Sequence, residues 1–233
     1  MERVIFHVDA NSAFLSWSAA YRVKVLGETE DLRDVPSVVA GDKESRHSII
    51  LAKSTPAKKY GIQTGEPLFQ ALDKCPELRV VQPDYPLYVE ASRHFVQLLR
   101  QFSPAVQQYS IDEAWVDMTG TQRLWGAPRL AAEAMRKRVW EELGFTVNVG
   151  ISSNMLLAKM AGDFEKPNKV HTLFPEEMEA KMWPLPVRDL FLVGPATEKK
   201  LKLMGIYTIG ELAQADVRLL KRRMGKQGET IWH

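Results

Sequence analysis

Residues 109–118, YSIDEAWVDM, set two acids side by side in a segment that otherwise reads as strand. Neighbouring side chains on a regular strand point to opposite faces, and burying an unpaired carboxylate is costly. Asp112 and Glu113 therefore demand a break in the strand, a cation, or both. The flanking runs AVQQYS and AWVDM both read as strands. A hairpin turning through residues 110–113 joins them and frees both acids from strand alternation, so that they can face one site.

The rest of the chain sets this hairpin in a fold. Residues 4–8, VIFHV, have the pattern of a buried strand that stops at Asp9. NSAFLSWSAAYRV reads as a helix capped by Asn11 or Ser12. Residues 35–80 are mixed, with VPSVVAG and HSIILAK as short strands and TPAKKYG and EPLFQALDKC as short helices. Apolar residues at Leu87, Ala91, Phe95, Leu98 and Phe102 keep helical spacing. So do Ala131, Met135 and Val139 within residues 128–143. FTVNVGI reads as a strand, and SNMLLAKMAGDF as a helix behind a Ser153 cap. With residues 12–80 set aside, the order is strand, helix, strand, strand, helix, strand, which is the split βαβ or ferredoxin-like order. In that topology the first and third strands can lie side by side. Asp9, Asp112 and Glu113 then reach the same edge of one sheet.

Carboxylates gathered at one edge repel each other unless a cation joins them. Three hard oxygen donors suit Mg²⁺ or Mn²⁺ better than zinc. The five histidines, His7, His47, His94, His171 and His233, are scattered without ligand spacing and are read as non-catalytic. Asp117 lies further along its strand and reads as structural. A solvated acidic turn is the bland alternative for the DE pair alone; the placement of Asp9 at the end of a buried strand favours a metal site.

Composition narrows the setting. The chain has 233 residues, 45% hydrophobic and 26% charged, ordinary for a globular protein. No basic-then-apolar leader follows Met1 and no long apolar run occurs, so neither a secretion signal nor a membrane span is expected. The single cysteine, Cys75, leaves no intramolecular disulfide and reads as a buried thiol in a cytoplasmic protein. Net charge is +2, but residues 194–233 hold eight Lys/Arg against four Asp/Glu. A basic C-terminal segment suits an anionic partner such as nucleic acid, with a solvated helix face as the alternative.

FHVDANSAF and YSIDEAWVDMTG together resemble the two catalytic motifs of the Y-family DNA polymerases, the translesion group. VGISSNMLLAKMAGDFEKPN is similar to that family's third signature block. FLVGPATEKKLKLMGIYTIGEL resembles its helix-hairpin-helix thumb. The four stand in the family's order and cover nearly the whole chain.

The resemblance implies an α+β fold. A ferredoxin-like palm spans residues 1–10 and 78–166, inserted fingers span 11–77, and a small helical helix-hairpin-helix thumb spans 167–233. It implies two Mg²⁺ ions, with Mn²⁺ as a substitute, held by Asp9, Asp112, Glu113 and the carbonyl of Ala10. Glu113 matches the catalytic acid beside the primer 3′ end. For the dNTP it implies the turn of Asn11, Ser12, Ala13 and Phe14, together with Lys166 of the KPN block. Phe14 matches the steric gate, a ring that excludes a ribose 2′-hydroxyl by volume. Thr55 stands where many members have Tyr, and Lys58 where they have Arg. Lysine lacks the bidentate fork, so a weaker or differently shaped phosphate grip is expected. Asn11 replaces an acid common in the first motif and is not counted as a metal ligand.

In the thumb, Gly194, Ala196, Thr197, Lys199 and Lys200 match a DNA phosphate site at a helix start. Gly205 ends that helix, Thr208 and Glu211 make a capping box, and Leu192 and Val193 read as hairpin core. The implied function is template-directed, two-metal DNA synthesis of the translesion type by a monomer. Its partners are primer–template DNA, dNTP and a sliding clamp bound through a further C-terminal region. The chain ends at GETIWH, where family members continue into a little finger, so low processivity and salt-sensitive DNA binding are expected. A catalytically inactive DNA-binding homologue and a nucleotide cyclase are the alternatives. The three acids argue against the first and the basic hairpin against the second.

Overall fold

The computed structural model describes residues 2–42 and 48–233. His47, which opens the expected strand HSIILAK, lies outside the described residues. In chain order, β1 (Ile5–Ala10) leads into α1 (Ala13–Lys24). An inserted lobe follows, with β2 (Ser37–Ala40), β3 (Ile50–Lys53), α2 (Thr55–Lys58), α3 (Leu68–Lys74) and β4 (Arg79–Val81). Next come α4 (Tyr85–Arg100), β5 (Val106–Gln108), β6 (Glu113–Asp117), α5 (Gln122–Trp125), α6 (Pro128–Arg138), β7 (Val147–Ser152), α7 (Met155–Asp163) and β8 (Val170–Thr172). The C-terminal helices are α8 (Met178–Lys181), α9 (Pro195–Lys202), α10 (Ile209–Ala213), α11 (Val217–Met224) and α12 (Lys226–Trp232).

The main sheet runs β5-β6-β1-β7-β8. Its pairs are antiparallel except for β7 with β8. β1, β5, β6 and β7 with α4 and α6 form the expected ferredoxin-like unit, with the first and third of its strands adjacent. Two details differ from expectation. β1 continues through Asp9 to Ala10, because β6 pairs with it to Asp9 and β7 to Ala10. β4 has no strand pattern in the sequence; it is short, and its parallel pairing with β2 is what makes it a strand.

Strand alternation gives the sheet two distinct faces. Phe6, Val8 and Ala10 of β1, with Val149 and Ile151 of β7, join a core completed by Tyr88, Phe95, Leu99 and Met135 of α4 and α6. On α4 the buried stripe runs through Tyr88, Ser92, Phe95 and Leu99, while the expected Leu87 and Ala91 only border the core. The other face presents Ile5, His7 and Asp9, and α7 lies on it. Gly150 permits that contact: a Cβ there would sit 1.9 Å from the Ala158 carbonyl oxygen and 2.4 Å from the Gly162 nitrogen. α7 is capped by Asn154, whose side chain accepts from the Leu157 amide at 2.9 Å, and not by Ser153. The far side of α7 (Leu157, Met160 and Ala161) packs with Leu190, Leu201, Ile206 and Leu212 of the C-terminal unit. One helix thus joins sheet and C-terminal helices.

In that unit Gly205 adopts φ +79°, as a helix-ending glycine does. Thr208 Oγ1 accepts from the Glu211 amide at 3.1 Å, and the Glu211 carboxylate accepts from the Thr208 amide at 2.9 Å, completing the capping box. Cys75 is buried in the lobe with Val38, Ile50 and Leu68. Among the described residues, no helix is long and apolar enough to cross a membrane.

Candidate active site

Asp9 and Glu113 are direct register partners across β1 and β6. Opposed residues of an antiparallel pair share a face, so both carboxylates stand on the α7 side. The Ala10 amide donates to the Asp112 carbonyl at 2.9 Å, which anchors Asp112 at the end of the same ladder. This corrects the expected hairpin. Only Asp112 belongs to the turn. Glu113 is the first residue of β6 and obeys alternation, because its pairing with Asp9 extends the strand to it.

Two lysines reach this edge. Lys166 Nζ lies 3.2 Å from Asp9 Oδ1 and 2.9 Å from Asp163 Oδ1. Burial disfavours the charged ammonium, but Asp9 and Asp163 outweigh it and hold Lys166 above its ordinary value. For Asp9, burial is the largest influence and raises its carboxyl; Lys166 opposes this, and Asp112 adds to the rise. Lys166 divides its charge between two carboxylates, so Asp9 is left short of positive charge. For Glu113 burial also works upward, yet hydrogen bonds from His7 and Lys159 bring its carboxyl down to about 2. His7 Nε2 is 2.7 Å and Lys159 Nζ 2.5 Å from Glu113 Oε2.

A hard divalent cation fits the donor set of Asp9, Asp112 and the Ala10 carbonyl. The undercompensated burial of Asp9 supplies a physical demand for it. Among the described residues no three His, Cys, Asp or Glu side chains are grouped as a closed metal site. The reason is visible in the pairing: Asp9 and Asp112 line one cleft, while Glu113 is turned toward His7 and Lys159.

That cleft, about 330 Å³, is lined by Asp9, Ala10, Ser12, Ala13, Phe14 and Lys58 together with Asp112. A second cavity of about 400 Å³ shares Asp9, Ser12 and Lys58 with it and adds Asn11, Thr55 and Lys166. The expected nucleotide residues are therefore brought together. Phe14 faces the cleft while its ring stacks on buried Tyr88, centroids 4.5 Å apart and planes at 8°. Ser12 sits at the N-cap of α1 with φ +47° but makes no side-chain cap. Thr55 and Lys58 are exposed on α2.

Asn11 needs correction as a substrate contact. It is buried, its Nδ2 donates to Asn148 Oδ1 at 3.1 Å, and its Oδ1 accepts from the Asn168 amide at 2.9 Å. Its own amide donates to the Thr146 carbonyl at 3.0 Å. Asn11 instead ties the end of β1 to the KPN loop and so holds Lys166 beside Asp9. Buried Asn148 reinforces the tie through the Gly162 and Glu165 carbonyls.

His7, Lys159 and Asn148 escaped the sequence reading. His7 carried a usable signal, since it lies two residues before Asp9 on one strand and so on the same face. Lys159 lies within the third signature block, but neither it nor Asn148 can be tied to the site without knowing where α7 packs.

At the start of α9, Gly194, Ala196, Lys199 and Lys200 are exposed. A Cβ on Gly194 would meet nothing within 4 Å. Thr197 is corrected to a structural role: it is buried, and its Oγ1 accepts from Gln227 Nε2 at 2.8 Å. Leu192 is corrected too. It is 59% exposed in a left-handed conformation, whereas Val193 is core as expected.

The impB/mucB/samB family matches residues 8–163, and the IMS family HHH motif matches residues 175–206. The chain is 51% identical to the DNA polymerase IV of Clostridium acetobutylicum over 232 residues, which is 100% of this chain and 58% of that relative. It is 39% identical to the DNA polymerase IV 2 of Bacillus subtilis over 234 residues, 99% of this chain and 55% of that one. The chain therefore spans somewhat over half the length of these curated relatives. The crystal structure of DinB from Sulfolobus solfataricus matches with a TM-score of 0.81 at 23% identity, over 98% of this chain and 65% of that one. The insertion ternary complex of Dbh DNA polymerase matches with a TM-score of 0.83 at 22% identity and the same coverage. At these identities the likeness establishes the fold.

Proposed function

The chain belongs to the impB/mucB/samB family, and from that premise we propose that it is a template-directed DNA polymerase of the translesion type. In this reading the main sheet is the palm, the inserted lobe the fingers and the C-terminal helices the thumb. The observation that carries the proposal is the facing of Asp9 and Glu113 across β1 and β6, with Asp112 at the ladder's end, beside two cavities that share Asp9 and Lys58, one lined also by Phe14 and the other by Lys166.

The reaction joins a primer 3′-oxygen to the α-phosphorus of a dNTP and releases pyrophosphate. Bound divalent ions, two Mg²⁺ or Mn²⁺ in their place, would stabilise the attacking and leaving oxygens. Asp9, Asp112, Glu113 and the Ala10 carbonyl are assigned as their ligands, with Glu113 on the primer side. Lys166 exchanges a carboxylate partner for the triphosphate, and Lys58 approaches from the fingers. The first amides of α1, at Ala13 and Phe14, have no intrahelical acceptor and suit the same anion. The Phe14 ring, backed by Tyr88, fills the space a 2′-hydroxyl would need. Gly194, Ala196, Lys199 and Lys200 suit a DNA phosphate, held without base readout. A cytoplasmic monomer acting on primer–template DNA is the setting this implies.

Primer extension with dNTPs and Mg²⁺ tests the proposal. Template-directed extension by the parent chain is expected. None across varied salt and template would sink it. Extension that survives Asp112→Ala would remove the ligand assignment instead.

A further inference from the structure

Lys159 stands in the middle of α7 with its side chain only 12% exposed. Its ammonium meets Glu113 Oε2, the same oxygen that accepts from His7 Nε2. Both donors thus converge on one oxygen, and among the described residues no protein donor reaches Oε1. The ammonium also lies 5.3 Å from the Phe191 ring centroid and 5.7 Å from that of Tyr109. Both are within the ~6 Å reach of a cation–π contact. The two rings meet edge to face at 6.2 Å. Tyr109 belongs to the β5–β6 turn, and Phe191 stands three residues before Gly194 at the start of α9. One ammonium therefore touches the catalytic edge, its hairpin and the C-terminal unit.

The ion pair is not what alone seats α7 on the sheet. Buried pairs often give little net stability against an apolar replacement, and α7 is already anchored by Leu157, Ala158, Met160 and Ala161. What the lysine supplies is orientation. We propose that Lys159 is a positioning residue that, with His7, clamps Oε2 of Glu113 and so presents Oε1 to the reaction centre. Through Phe191 and Tyr109, the clamp ties that presentation to the seating of the C-terminal helical unit. The inference rests on the reading of Glu113 as a carboxylate of the nucleotidyl-transfer site.

Lys159→Met keeps length and apolar volume but removes the charge. In single-nucleotide incorporation it should lower the rate constant about tenfold, with the dNTP KM moved by less than about threefold, the pattern of a lost transition-state contact. Mn²⁺ affinity, read from free Mn²⁺ by electron paramagnetic resonance, should tighten several-fold, because the ammonium no longer competes for Glu113. Lys159→Arg should restore most of the rate, and Phe191→Ala should show the Lys159→Met signature at about a third of its size. An unchanged rate, or a loss shared by rate, Mn²⁺ affinity and melting temperature alike, would overturn the proposal in favour of a packing role. If the parent chain extends no primer, the polymerase reading fails separately. The Mn²⁺ titration then still decides the clamp: tighter binding in Lys159→Met supports it, and unchanged binding overturns it.

Discussion

The two walls of the cleft hold their charge in different ways. On the sheet wall Lys166 is paired with Asp9 and Asp163, and beside the cleft Lys159 is paired with Glu113. On the lobe wall Lys58 is exposed, with no ion-pair partner among the described residues. Lys53 also lines the cleft, but its ammonium donates to the Ile62 carbonyl. The difference follows from the scaffolding. Carboxylates on paired strands have fixed separations, so their counter-charges can be placed in advance. A short helix on an inserted lobe offers no such partner, and its lysine remains available to an outside anion. In the proposed reading the sheet wall is preorganised for chemistry, whereas the lobe wall recruits the substrate.

That contrast breaks most sharply at Asp9. Asp9→Asn should cut the rate of nucleotide incorporation by about a thousandfold or more while leaving the melting curve intact. A rate near that of the parent chain would mean that the sheet wall is not where the chemistry occurs. Gly150→Ala attacks the same wall through its support. With the added Cβ pressed against the backbone of α7, urea unfolding should show a loss of about 3 kcal/mol; a loss near zero would show that α7 can lift without cost.

The lobe side should respond in selectivity and binding more than in rate. Phe14→Ala should raise ribonucleotide incorporation by about tenfold or more, as opening one side of a pocket does, and unchanged sugar selectivity would remove the gate role. The smallest effect is expected at Lys58. Lys58→Ala should raise the dNTP KM by about threefold and Lys58→Arg lower it by a similar factor, since arginine brings the bidentate fork. No change in either variant would leave the triphosphate to Lys166 and the first amides of α1.

Much of the site can be read along the chain. Asp9 ends an apolar strand, and Asp112 and Glu113 interrupt another; topology then carries all three to one edge. Glu113 shows the limit of that logic, since its release from strand alternation follows from the sequence only if the turn is four residues long. Pairing with Asp9 makes it a strand residue instead. Asn11 and Thr197 match motif positions, yet each points inward, because Asn148 and Gln227 offer hydrogen bonds that only the packed chain brings near. Leu192 fails for the opposite reason. Its apolar character suits a core, but its left-handed backbone turns it outward.

The sequence by itself determined the element order, the α+β class, the hard-oxygen character of the three acids and the family motifs. These depend on local periodicity and residue type, which are written in the chain. Only the tertiary structure decided that His7 and Lys159 share one oxygen of Glu113, that Lys166 bridges Asp9 and Asp163, and that Asn11 braces the KPN loop. Those contacts join residues far apart in sequence. Their geometry is set by strand register and by the close approach of α7 over Gly150, and no hydrophobic pattern specifies either.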